Sequence, residues 1–233
     1  MKNLTLLLFL VFTSFSLAQE LSLVKVENTQ KKNPWTYGAK AGLHYSTLSG
    51  TYTDLDWVDN IDGIIGFQLG GWANYDINNK ISFQAELLGS WQGGDINYNE
   101  IANPISDGTL KPTGKMRLPY IMMPLMVQYI PMDDFYVEAG AQLNYLPKVN
   151  ITAFLNGQEV DDEQAANLIT NRLENVNNFD VGLNIGAGYE VVPDWVVYMR
   201  YTHGLMTVDN REVDQRDLKN RVIALGVNYK IKL

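Results

Sequence analysis

Residues 179–191 read FDVGLNIGAGYEV, and their apolar and polar members alternate without a break. Phe179, Val181, Leu183, Ile185, Ala187, Tyr189 and Val191 share one parity; Asp180, Gly182, Asn184, Gly186, Gly188 and Glu190 share the other. Successive side chains of a strand point to opposite faces, so the segment has one apolar face and one small or charged face. An ordinary strand is about 5–6 residues long. One that crosses a bilayer at about 45° needs roughly 9–11, with one face toward lipid and the other toward a polar lumen. The alternation here is long enough for a crossing.

Seven other segments repeat the pattern: 35–49, about 64–77, 81 to about 91, 116–130, 135–146, 195–205 and 221–233. The fourth, 116–130, is the least regular. Pro124 lacks a donor, which predicts a bulge or a locally broken ladder there. Connections after the second, fourth and sixth segments are short (76–80, 131–134, 193–194), and the others are long and polar. Outer-membrane barrels combine short periplasmic turns with longer extracellular loops. Aromatic residues fall into two bands. Trp35, Tyr37, Tyr75, Phe83, Tyr129, Phe135, Tyr189, Trp195 and Tyr229 lie near the short turns; Tyr45, Phe67, Trp91, Tyr145, Phe179 and Tyr201 lie near the long loops. Such girdles sit at the two membrane interfaces. In a soluble eight-stranded barrel the apolar face would point inward and the aromatics would not band. The expected fold is therefore all-β: an eight-stranded antiparallel up-and-down transmembrane β-barrel with both termini in the periplasm.

The amino terminus fits export. Lys2 precedes an apolar run over 4–11, and Ser16-Leu17-Ala18 places small residues before a cleavage point. Residues 1–18 read as a signal peptide, 19–34 as a polar periplasmic tether and 35–233 as the barrel. No later run approaches the ~18 apolar residues of a membrane helix, so a membrane location requires a closed barrel. Cysteine is absent, which removes disulfides, thiolate metal sites, cysteine nucleophiles and a lipoprotein anchor. Beyond residue 18 the chain keeps 17 of its 18 basic residues and all 26 acidic ones, a net −9. Nucleic-acid binding rests on basic patches, and this balance excludes it as a partner.

The polar face of the eight segments collects Lys40, Glu86, Glu138, Asp180, Glu190, Arg200 and Lys230. An eight-stranded barrel is just wide enough for side chains to fill it. Unpaired charges there would be costly, so a paired network plugging the lumen is expected. Glycines 182, 186 and 188 leave room for the other reading, a narrow ion path. His44 and His203, with Ser46, Ser49, Asp54 and Asp209 nearby in sequence, are the groups a lipid-modifying barrel enzyme would need. Their spacing does not force them together, and no catalytic residue is assigned. Asp54, Asp56, Asp59 and Asp62 in the first long loop lack the glycine and final glutamate of an EF-hand, and read as a solvated acidic loop. Residues 162–176 space Ala165, Ala166, Leu168, Ile169, Leu173 and Val176 helically, predicting a short helix in the third long loop. Phosphate loops, nucleophile elbows and paired-histidine motifs are missing. No cofactor or metal is expected.

Seven stretches are similar to the PorT-type outer-membrane β-barrel family: 38–50 (GAKAGLHYSTLSG), 83–94 (FQAELLGSWQGG), 118–131 (LPYIMMPLMVQYIP), 135–146 (FYVEAGAQLNYL), 179–191, 199–208 (MRYTHGLMTV) and 220–231 (NRVIALGVNYKI). The resemblance implies an eight-stranded barrel in the outer membrane of a Gram-negative bacterium, surrounded by its lipid. The family's namesake assists secretion across that membrane. The carboxyl end resembles an assembly signal, with Gly226, Tyr229 and Ile231, but ends in Leu233 rather than an aromatic. The resemblance implies the barrel-assembly machinery as a partner. The expected function is non-enzymatic: a side-chain-filled barrel with a structural, adhesive or secretion-accessory role, meeting a protein partner at the extracellular loops or the periplasmic face. The alternatives are a narrow solute channel and, more remotely, a lipid-modifying enzyme.

Overall fold

Twelve strands make up the regular structure of the described residues, 33–49, 58–102, 109–147, 150–160, 177–207 and 219–232 of the computed structural model. The chain divides into two units, Met1–Asn33 and Pro34–Leu233, and every strand belongs to the second. The predicted signal peptide and almost all of the tether lie outside the described residues, as does the helix predicted over 162–176.

Eight long strands form the wall: β1 (Trp35–Ser49), β2 (Val58–Asp76), β3 (Ile81–Tyr98), β6 (Pro112–Met132), β7 (Phe135–Tyr145), β10 (Phe179–Val192), β11 (Trp195–Thr207) and β12 (Lys219–Ile231). Each pairs antiparallel with the next, and β12 pairs back onto β1, which closes the ring. One path of directly opposed residues shows its geometry. It runs Thr36, Asn74, Gln84, Met126, Gly140, Asn184, Thr202, Val222 and returns to β1 at Ser46, ten residues above its start. Ten residues of rise (roughly 33 Å) against eight inter-strand spacings (roughly 38 Å) give a strand tilt of about 40°. Such a barrel has room inside for side chains and little else.

The apolar parity faces out. Leu43, Ile65, Leu87 and Ile185 are all more than 60% exposed, the exposure expected of side chains that a bilayer would cover. Within the two bands, aromatic rings pack together: Trp35 with Tyr37 and Tyr75, Trp195 with Tyr229, Phe67 with Trp91, and Tyr145 with Phe179. Counting residues along the registers at about 3.3 Å each and about 40° tilt puts the two bands roughly 20–25 Å apart. That matches the apolar band of outer-membrane barrels, about 25 Å tall.

The wall is taller on one side than the sequence pattern indicates. β2 begins at Val58 and β3 runs on to Tyr98, beyond their expected limits near 64 and 91. The reason is a bulge: the β2–β3 register shifts by one between the pairs Gly63↔Gly94 and Gln68↔Ser90. An inserted residue swaps the faces of one strand, so the parity that identifies β2 ends there while the ladder continues. Gly93 within this stretch has φ 148°, and a Cβ would strike the Met116 carbonyl oxygen. Pro124 leaves a local break without a bulge. Pairing with β7 passes through it in register, whereas the β3 ladder skips from Ala85↔Leu125 to Leu88↔Met122 at constant register.

Four short strands decorate the outer rim: β4 (Ile101–Ala102) pairs with β5 (Thr109–Leu110), and β8 (Asn150–Leu155) pairs with β6 and with β9 (Gln158–Glu159). β8 and β9 occupy the third long loop, read in sequence only as a loop with a helix. Their turn is Asn156-Gly157, with φ of 50° and 81°. Positive φ at both central residues defines the turn that suits a hairpin, and Asn-Gly is its strongest sequence signal.

Candidate functional site

The polar parity folds inward, and its charged members fall into three groups by depth. The central group joins Lys40 on β1, Glu86 on β3, Glu138 on β7 and Arg200 on β11. Lys40 Nζ donates to Glu86 Oε1 at 2.9 Å. Arg200 donates through Nη1 and Nη2 to the two Glu86 oxygens at 2.9 and 2.7 Å, and through Nε to Glu138 Oε1 at 2.8 Å. All four are at most 3% exposed. Two cations face two carboxylates, so the group is neutral when fully ionised. Bidentate guanidinium–carboxylate geometry is the strong form of this interaction.

Uncharged polar groups extend this quartet in both directions. Gln84 donates to Glu86 at 2.6 Å, and Gln128 bridges Gln84 and Glu138 at 3.2 Å each. Gln128 also accepts from Asn74 and Ser82 near the periplasmic turns. Lys40 Nζ lies 4.0 Å from the Tyr198 ring centroid, and Gln68 donates to the Tyr198 hydroxyl at 2.8 Å. Glycines make space for these rings. A Cβ on Gly42 or Gly226 would collide with Tyr198, on Gly38 with Trp72, and on Gly188 with Tyr136. The room at Gly38, Gly42, Gly188 and Gly226 is thus filled by aromatic side chains, that at Gly182 by Thr202 and Gln142, and that at Gly186 by the Met199 carbonyl and Glu138.

The other expected lumen residues stand apart. Glu190 and Lys230 pair at the periplasmic end, where Glu190 also accepts from the Asp194 amide of the β10–β11 turn. Asp180 lies toward the extracellular end and accepts from Asn144 at 3.3 Å; its Oδ1 is buried without a partner. Above the quartet buried polar side chains such as Gln92, Gln142, Asn144 and Asn220 continue, joined by an apolar group. Leu48, Leu88, Met116, Leu118, Tyr120, Met122 and Leu146 form one buried cluster with Ile61 packed against it. Side chains therefore occupy the lumen along its length, ionic at mid-depth and mixed polar and apolar toward the extracellular mouth.

The histidines do not meet. His44 faces inward, its Nε2 donating to the Trp91 carbonyl at 3.0 Å. His203 has the opposite parity and lies 3.3 Å from the Tyr201 hydroxyl. Ser46 is bound to the backbone of Gly93, and Asp54 and Asp209 lie outside the described residues. In the first long loop Asp54 and Asp56 are also outside them, while Asp62 sits on β2 and accepts from Asn97 at 2.8 Å. Among the described residues no three His, Asp or Glu side chains converge as a metal site would require. At the carboxyl end, Gly226 is the seat for Tyr198, and Tyr229 and Ile231 are exposed in the inner girdle. Leu233 is outside the described residues.

With the closed ring and its filled lumen in view, a family model described as "Outer membrane protein beta-barrel domain" matches residues 18–210. The chain belongs to that family. This outer-membrane barrel is similar to three solved structures. Ail, the attachment invasion locus protein of Yersinia pestis, is 16% identical over 84% of this chain and 98% of that one, with a TM-score of 0.39. Neisserial surface protein A is 14% identical over 84% and 97%, with a TM-score of 0.45. OprG from Pseudomonas aeruginosa is 14% identical over 88% and 100%, with a TM-score of 0.42. No curated protein matches it. The protein is an outer-membrane protein of a Gram-negative bacterium, and membrane lipid surrounds its outward face.

Three features of the interior lie outside what sequence reasoning found. Gln84 and Gln128 complete the quartet, Tyr198 covers Lys40, and the apolar cluster caps the lumen. The first two are ordinary inward polar positions with no motif. The third was visible as the inward methionines and Tyr120 of β6, whose apolar character on a polar face was itself the signal.

Proposed function

We propose that this protein is a non-conducting, non-enzymatic outer-membrane barrel that acts through the surface it presents outside the cell. The filled lumen carries this reading. A solute path would have to pass both the Lys40–Glu86–Arg200–Glu138 quartet and the apolar cluster around Leu118 and Met116. Displacing either would expose buried charges or open a dry constriction. The outer rim, by contrast, is built up. β2, β3 and β6 continue past the girdle, β8 and β9 add to them, and exposed Arg117–Asp95 and Lys111–Glu100 ion pairs lie along the extension. Such a wall suits a structural or adhesive role, and the resemblance to PorT-type chains supports an accessory role in secretion. Residues 1–18 would direct export. The barrel-assembly machinery would read the carboxyl end at Gly226, Tyr229, Ile231 and Leu233.

Purified protein in planar bilayers tests this. The expected result is no reproducible conductance step; steady steps would replace the reading with a narrow channel. The chain has no cysteine, so single cysteines report topology cleanly. Gly157→Cys should react with an impermeant reagent on intact cells and Asn79→Cys should not.

A further inference from the structure

Arg221 breaks a rule that the outer surface otherwise keeps. Among the described residues, the outward positions of the eight wall strands from the inner girdle up to this level carry no other Lys, Arg, Asp or Glu. Its orientation follows from register. Arg221 is one same-face step beyond Ile223, which is 53% exposed and paired with Tyr45 and Tyr201. Residue counts at about 3.3 Å per residue and about 40° tilt set it roughly level with Trp91 and Tyr145 in the outer girdle. A guanidinium on the lipid side of that girdle needs an anion or a route to water.

Among the described residues Arg221 has neither an anion nor a hydrogen bond. Its Nε is buried with no hydrogen-bond partner. The cations of the tall side differ: Arg117 donates to Asp95 Oδ1 at 2.8 Å, Lys111 pairs with Glu100, and Lys115 Nζ lies 4.4 Å from the Phe154 ring centroid. Arg221 is instead flanked in its row by Thr47 on β1 and His203 on β11. A guanidinium fork beside a hydroxyl and an imidazole is phosphate-binding chemistry. The row below, Tyr45, Ile223 and Tyr201, is apolar and outward, fit to lie along acyl chains.

We propose that Arg221, with Thr47 and His203 beside it, binds a phosphate on the headgroup of an outer-leaflet lipid. The position at the outer girdle and the apolar row beneath it favour a lipid over free phosphate. The site is independent of whether the lumen conducts.

The test uses the full chain folded in detergent micelles and offered equal amounts of bis-phosphorylated lipid A and its dephosphorylated form, with retained lipid read by native mass spectrometry. The wild-type protein should retain the phosphorylated form about tenfold better, the scale of one charge-assisted hydrogen bond. Arg221→Ala should bring the ratio close to one. Arg221→Lys, which keeps the charge and loses the fork, should fall between. Lys80→Ala, on the opposite rim, should leave the ratio unchanged. Heat-modified gel migration identifies folded barrels, and should Arg221→Ala not fold, Arg221→Gln replaces it. An undiminished ratio in the Arg221 variants overturns the proposal. So does loss of retention to competing inorganic phosphate irrespective of acyl chains, which would make this a soluble-anion site.

Discussion

Arg200 holds two carboxylates at once, and its removal tests whether the lumen is organised by the pairing of each charge with its own partner. In Arg200→Met, Glu86 keeps Lys40 at 2.9 Å and Gln84 at 2.6 Å. Glu138 keeps only Gln128, at 3.2 Å. The quartet goes from neutral to one excess negative charge, and that charge resides on Glu138. Removing one partner of a buried pair costs about 3–5 kcal/mol because the survivor stays buried and uncompensated. The single variant should lose stability on that scale. Adding Glu138→Gln removes the stranded carboxylate and leaves the Lys40–Glu86 pair intact, so the double variant should recover at least about 2 kcal/mol, a coupling within the range for residues sharing a network. Glu86→Gln is the matched wrong partner. It leaves Glu138 stranded and strips Lys40 of its anion, so Arg200→Met/Glu86→Gln should recover nothing. The assay is urea unfolding in lipid vesicles, followed by tryptophan fluorescence and heat-modified migration. Equal rescue by both glutamine substitutions, each of which restores a net charge of zero, would refute local pairing in favour of net charge alone; a loss below about 1 kcal/mol for Arg200→Met would refute it in favour of simple space filling.

Three further substitutions probe the wall and its outer rim. Gly38→Ala would drive a Cβ into the Trp72 ring and the Tyr229 carbonyl, and should cost about 1–3 kcal/mol in the same unfolding assay, as overpacking does. Gly71→Ala, where the nearest atom is 3.6 Å away, should cost clearly less. At the outer rim, hydrogen bonds from Lys111 and then Thr109 hold the Glu100 carboxyl below its usual value of 4.5. A depressed carboxylate contributes stability that is complete above the unfolded value and disappears as pH falls through the folded one. Amide protection across the β4–β5 pair should therefore decline on acidification below about pH 4.5. Glu100→Gln should make it independent of pH there.

How far the fold was legible depended on which physical signal carried each part. Ile185, Leu183 and Val181 advertise a lipid face because alternation is a local property of the chain, and the short turn at 193–194 marks itself with proline. The tall side of the wall was hidden by the bulge at Gly63–Gln68, which reverses parity in β2 while leaving backbone pairing intact. A method that reads parity stops where parity stops. The β8–β9 hairpin was legible at Asn156-Gly157, but the helical spacing of 162–176 drew the reading of that loop away from it.

The quartet shows a different limit. Its members were all identifiable as inward charges, yet nothing local says which of the seven meet. Arg200 reaches Glu86 across 114 residues of chain, and that meeting is set by the barrel's stagger. The belt that leaves β1 at Thr36 and returns at Ser46 fixes the relative heights of all eight strands. At that stagger Lys40, Glu86, Glu138 and Arg200 have Cα atoms within roughly 6 Å of one level, counted along the registers. Glu190 and Lys230 fall near the periplasmic turns, and Asp180 rises to the extracellular end. Glu138 and Arg200 share one row through Gly186 and are seated by neighbouring registers, whereas Lys40 and Glu86 reach Arg200 from strands farther round the barrel. The identity of the lumen residues is thus a property of each strand, whereas their chemistry is a property of closure. The outward surface obeys the same division: the β11–β12 register sets Arg221 beside His203, and closure onto β1 adds Thr47 at the level of the outer girdle.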